Sequence, residues 1–117
     1  ISDAMPATKC NMPTFDWNGE TIHVDDGRCM TIDGTLAGST LTLRDAIVYV
    51  IENLNLSLEE ALRMASTYPA EAIGRQDEFG YVRKGNHANL VLLDERLNVI
   101  ETWVEGDRFQ SRNPGGV

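Results

Sequence analysis

The stretch FDWNGETIHVDDGRCMTI, residues 15–32, decides how the first half of this chain is read. Apolar residues alternate with polar ones in three short pieces: Phe15 and Trp17, then Ile22 and Val24, then Cys29 to Ile32. Asn18-Gly19 and Asp26-Gly27 separate the pieces. Both central positions of a type I′ turn need positive φ, which Asn, Asp and Gly adopt at least cost, so each dipeptide joins its neighbours as a hairpin. The stretch predicts a β-meander. His23, between Ile22 and Val24, should face away from the apolar side.

Working outward, the period changes. DGTLAGSTL, residues 33–41, is rich in Gly and small residues and predicts a loop. Thr42, with Asp45 three residues on, predicts a helix N-terminus. Leu43, Ala46, Ile47, Val50, Ile51 and Leu54 then fall on one helical stripe. Ser57 with Glu60 repeats the capping pattern, and Leu58, Ala61, Leu62 and Ala65 stripe a second helix that stops near Tyr68. Pro69 fits the first turn of a short third helix, closed by Gly74. Gly80 to Gly85 read as a loop. Ala88–Leu93 and Leu97–Val104 read as strands joined at Asp94-Glu95-Arg96, and a turn at Glu105-Gly106-Asp107 leads to a last strand around Phe109. Residues 110–117 read as a frayed tail rich in Gly, Pro and Asn.

Composition narrows the function classes. The chain has 117 residues, 42% hydrophobic and 24% charged, which fits one small globular domain. Ten Lys plus Arg against eighteen Asp plus Glu leave −8, a field that repels nucleic-acid phosphates and anionic lipid. No run reaches the roughly 18 apolar residues of a membrane helix, and no basic-then-apolar leader opens the chain. The expectation is a cytoplasmic protein with neither nucleic acid nor membrane as partner. Cys10 and Cys29 have no Cys or His cluster around them and read as free thiols. The start at Ile1 reads as that of a segment cut from something longer. A complete (β/α)₈ barrel, at about 250 residues, does not fit in this length.

Residue by residue, the chemistry is sparse. His23 and His87 are isolated, whereas a zinc hydrolase needs three or four converging ligands. Asp3, after a short apolar stub, has the functional group of a general base but by itself reads as a solvated terminal acid. The small-residue loop at 34–39 has two readings: backbone N–H groups offered to a polar or anionic ligand, or a plain strand-to-helix turn. The acidic pairs Glu59-Glu60 and Asp94-Glu95 read as solvated surface, and the methionines as packing.

Four strings change the weighting: ISDAMP from residue 1, DGTLAGSTLTLRDAI from 33, LSLEEALRMASTYPAEAIG from 56, and KGNHANLVLLDERLNVIETWVEG from 84. Together they resemble the N-acetylglucosamine-6-phosphate deacetylase family of the amidohydrolase superfamily, over its C-terminal third. The Gly85–Asp94 pattern points to the superfamily alone. The pairing of Ser2-Asp3-Ala4 with Gly34-Thr35-Leu36-Ala37-Gly38-Ser39 is the narrower feature.

The resemblance implies an α/β fold: the C-terminal end of a metal-dependent hydrolase TIM barrel plus the returning strands of a small β-sandwich-like domain. Residues 1–80 would be barrel segment, with a meander insert at about 10–33 and the helices; 81–109 would be strands of the composite domain, and 110–117 a tail. It implies metal-dependent hydrolysis of N-acetyl-D-glucosamine 6-phosphate to D-glucosamine 6-phosphate and acetate in amino-sugar catabolism. A divalent metal, zinc or iron-like, would polarise the acetyl carbonyl and lower the pKa of a bound water. Asp3 matches the aspartate at the end of the eighth barrel strand, near the metal, acting as general base and then general acid. Leu36, Ala37 and Gly38 match the loop against the sugar. The metal-binding Glu and His residues and the phosphate grip lie upstream in the family, and neither His23 nor His87 stands where a family ligand would. The expected partners are the amino-sugar phosphate, the remainder of the enzyme and, in the whole enzyme, a second copy as a homodimer. These residues alone are expected to be inactive. Two alternatives stand beside this reading: another amidohydrolase acting on a cyclic amide, and a non-enzymatic interaction module from a truncated gene. An immunoblot of source cells with an antibody to this segment tests them: a band about three times larger fits a barrel enzyme, and one at 13.0 kDa fits the module.

Overall fold

The computed structural model describes residues 1–109, so the expected tail at 110–117 lies outside the described residues. The chain divides into two compact units, one comprising Ile1–Leu54 and the other beginning at Asn55. The class is α/β, with two antiparallel sheets and three helices among the described residues.

The first unit is built on four strands in sequential order: β1 Thr14–Trp17, β2 Glu20–Asp25, β3 Arg28–Met30 and β4 Leu36–Ser39. Both expected tight turns form. Asn18 and Gly19 take φ of 52° and 84°, and Asp26 and Gly27 take 44° and 77°, the positive pair that a type I′ turn requires. Phe15, Ile22 and Cys29 meet on the inner face and close with Ala7 into the core, against which Met5, Val24 and Ala37 pack. His23, one residue off that face, is exposed.

β4 corrects the sequence reading, which expected a loop over residues 33–41. Leu36, Ala37, Gly38 and Ser39 instead pair antiparallel with β3, across a register shift between Cys29 and Met30. The reversal is made by residues 31–35. Thr31 N–H donates to the Thr35 carbonyl at 2.9 Å, and the Asp33 carboxylate accepts from the Thr31 hydroxyl and from Thr35 N–H. These bonds hold the Asp33 carboxyl below its ordinary range, the Thr31 hydroxyl contributing most. A four-residue strand with a single large apolar side chain carries no period-2 signal, which is why pattern alone misses it.

Helix α1, Leu43–Leu54, begins where Thr42 was expected to cap it. Asp45 N–H donates to the Thr42 hydroxyl at 3.1 Å, and that hydroxyl donates to Asp45 Oδ2 at 2.7 Å. Lys9 Nζ reaches the same carboxylate at 2.8 Å, joining the N-terminal segment to the start of the helix. The apolar stripe of α1 is present, yet none of its residues is buried.

In the second unit, α2 spans Leu58–Ala65 and α3 spans Thr67–Ala72. Ser57 caps α2 through Glu60 N–H at 3.2 Å. The Glu60 carboxylate turns to Arg63 and the Tyr68 hydroxyl. Thr67 bonds the Gly80 carbonyl at 2.9 Å, and Gly80 stands so close to α3 that a Cβ there would lie 2.7 Å from that of Ala70. A second sheet follows, β5 Leu90–Leu93, β6 Val99–Val104 and β7 Asp107–Phe109. β5 and β6 are each two residues shorter at the start than expected. The side chain of Asn89 is engaged with Glu105 at the head of β5. Before β6, the Asp94 carboxylate draws in Arg96 N–H and Asn98 N–H, both at 2.8 Å, and puts Leu97 at φ 60°. No helix among the described residues is long and apolar enough to cross a membrane.

The Asp45 carboxyl sits well below its ordinary value of 3.8, held first by the Lys9 hydrogen bond and then by Thr42. A depressed folded value means that the stabilisation is present above 3.8 and is lost as pH falls toward the folded value. Thermal melts of Asp45→Asn should therefore lie below wild type at neutral pH, with the gap narrowing as pH drops below 3.8. A gap that stays constant across that range would contradict the assignment.

Candidate active site

The two parts of the narrow motif pair, Ser2-Asp3-Ala4 and Gly34 to Ser39, come together at Gly38 and Ser39. The N-terminal segment lies parallel beside β4, with Ala4 bridged to Ser39. Ser39 N–H donates to the Asp3 carbonyl and Met5 N–H donates to the Ser39 carbonyl, both at 2.8 Å. The Ser39 hydroxyl donates to the Ser2 carbonyl at 2.6 Å and accepts from Leu41 N–H at 3.0 Å.

Gly38 makes this approach possible. A Cβ at that position would stand 2.9 Å from the Asp3 carbonyl oxygen and 2.6 Å from Met5 Cγ, so any other residue would push the two backbones apart. Asp3 itself has φ 54°, in the left-handed region that Asp tolerates better than most residues. Its side chain is exposed.

Of the residues singled out from sequence, the structure brings Asp3 and Gly38 into direct contact. Ala37 is half-buried against the core, and Leu36 is exposed beside them on the same strand. His23 lies on the inner strand β2, opposite Thr14 of β1 and Met30 of β3. His87 belongs to the second unit. Its Nδ1 lies 2.7 Å from Glu105 Oε2, and its ring stacks on Phe79 at 4.8 Å between centroids. A shallow depression on the first unit is lined by Glu20, Thr21, Thr31, Ile32, Asp33 and Thr35, without Asp3.

Two residues of the site were not found from sequence. Cys29 is fully buried and pairs with Gly38, and its thiol is pushed up by burial and, secondarily, by the Asp3 charge. Ser39 stood in the quoted motif, but no spacing rule connects it to a carbonyl 37 residues upstream. Among the described residues no three His, Cys, Asp or Glu side chains converge on a metal position. Asp3 offers one exposed carboxylate.

With the geometry in place, comparison with known proteins is specific. The Amidohydrolase family pattern matches residues 23–109, about three quarters of the chain. The chain belongs to the amidohydrolase family. It is 39% identical to the N-acetylglucosamine-6-phosphate deacetylase of Haemophilus influenzae, over 91% of this chain and 28% of that protein. It is equally 39% identical to the N-acetylgalactosamine-6-phosphate deacetylase of Shewanella, over 92% of this chain and 27% of that one. The crystal structure of the Pasteurella multocida N-acetylglucosamine-6-phosphate deacetylase superposes with a TM-score of 0.84 at 33% identity, covering 93% of this chain and 29% of that one. This amidohydrolase chain thus spans little more than a quarter of the length of the relatives it matches.

Substituting Gly38→Ala in the intact protein should cost about 1–3 kcal/mol in chemical denaturation, the usual penalty of forcing a methyl into a packed contact. An Ala variant as stable as wild type would show that Asp3 and β4 do not pack as described.

Proposed function

We propose that this chain is the C-terminal segment of a metal-dependent deacetylase of amino-sugar 6-phosphates. The reaction is hydrolysis of N-acetyl-D-glucosamine 6-phosphate to D-glucosamine 6-phosphate and acetate. The observation that carries it is the seating of Asp3 against Gly38-Ser39, in a chain similar over nine tenths of its length to deacetylases of that class.

In this reading Asp3 is the general base and acid. Its carboxylate takes a proton from the water whose oxygen adds to the acetyl carbonyl. It returns that proton to the amide nitrogen as the C–N bond breaks, so acetate and the free amine leave with atoms in balance. Leu36, Ala37 and Gly38 line the sugar, where small side chains leave room for a pyranose. The divalent metal, zinc or iron-like, and the phosphate grip would be held by residues outside these. Residues 1–80 would close a TIM barrel and 81–109 would return to a small β domain. The unburied stripe of α1 supports a covering by the remainder of the enzyme. A cytoplasmic homodimer completes the proposal.

The equal identity to glucosamine-type and galactosamine-type relatives favours a second reading, in which the C4 epimer is the substrate. Assaying the complete protein with both N-acetylated sugar phosphates separates the two by their kcat/KM ratio. Asp3→Asn should lower kcat by about 10²–10⁴, the range general acid–base groups contribute. Retained activity in that variant would overturn the role. Residues 1–117 purified alone should release no acetate, and release would contradict the need for residues elsewhere.

A further inference from the structure

We propose that Ser39 is the positioning residue that aims Asp3, an inference that rests on the deacetylase reading of Asp3. The two peptide planes that flank Cα set the direction of the Cα–Cβ bond, and so the origin from which a carboxylate one methylene away swings between its rotamers. The plane before Asp3 carries the Ser2 carbonyl and the plane after it carries the Asp3 carbonyl. Both carbonyls are tied to the same residue: Ser2 O to the Ser39 hydroxyl at 2.6 Å, and Asp3 O to Ser39 N–H at 2.8 Å. Fixing both planes fixes φ and ψ of Asp3 between them, and this is what holds an exposed aspartate at φ 54°.

The backbone half of this clamp would survive any side chain at position 39. The hydroxyl half would not. The hydroxyl is itself oriented, because its oxygen accepts from Leu41 N–H at 3.0 Å and its proton is thereby directed to Ser2 O. Ser39 is half-buried, so water does not freely replace that bond. With Gly38 admitting the approach and Ser39 fixing the angle, adjacent residues of one strand divide the work of presenting Asp3.

The test compares Ser39→Ala and Ser39→Thr in the complete protein, with kinetics and deuterium uptake of a peptide spanning residues 2–9. Ser39→Ala should lower kcat by roughly 10–100-fold, as loss of a supporting hydrogen bond does, and leave KM within about twofold. Uptake at Asp3 to Met5 should rise. Ser39→Thr, which keeps the hydroxyl, should recover most of the rate. Unchanged kcat and uptake in Ser39→Ala would overturn the proposal. So would a Thr variant as impaired as Ala, which would indicate a packing role. If the wild-type protein deacetylates neither sugar phosphate, the functional reading fails, while the uptake comparison still decides whether the hydroxyl holds Asp3.

Discussion

The contact on which the first unit depends is between two backbones at a position that has no side chain. Gly38 lets the Asp3–Met5 segment lie directly on β4, where a methyl group would collide with a carbonyl oxygen at 2.9 Å. Two 2.8 Å hydrogen bonds then register the segments on either side of Ala4. Residues far apart in sequence become neighbours through this contact, and Cys29, fully buried, pairs with Gly38 from the adjacent strand β3. The chemistry proposed for Asp3 draws on packing, and not propensity, because backbone hydrogen bonds to Ser39 hold its segment beside β4.

Around this contact the unit is assembled from local devices that act independently. Tight turns at Asn18-Gly19 and Asp26-Gly27 bring Phe15, Ile22 and Cys29 onto one face, and hydrophobic burial closes that face with Ala7. The Thr42 cap starts α1, and Lys9 anchors the N-terminal segment to the same Asp45 carboxylate. In the second unit the Asp94 carboxylate does for the β5–β6 connection what Asp33 does for the β3–β4 connection: it gathers backbone N–H groups that the reversal leaves without partners. The exposed charged pairs around these turns are ordinary surface interactions of small individual value.

The functional reading follows the same division. Membership of the amidohydrolase family rests on a pattern covering residues 23–109, while the deacetylase chemistry is a proposal that draws on the narrower pairing of the Asp3 and Gly38 segments. His23 and His87 illustrate why residue type alone is a poor guide. One lies exposed on a strand, and the other is engaged with Glu105 and Phe79 in the second unit.

What the sequence determined by itself was everything encoded within a few residues: the turn dipeptides, the Thr42 and Ser57 caps, the helical stripes, and the strands whose apolar alternation shows one buried face. These signals are legible because local sterics and nearest hydrogen bonds create them. Family resemblance added the pairing of Asp3 with Leu36, Ala37 and Gly38. Tertiary structure alone decided that Leu36–Ser39 is a strand and not a loop, and that the Ser39 hydroxyl reaches a carbonyl 37 residues away. Leu36–Ser39 has too little apolar pattern to declare itself, and its extended form is stabilised by partners on β3 and at the N-terminal segment. Close backbone approach depends on which distant chain arrives at a glycine, and no window of local sequence contains that information.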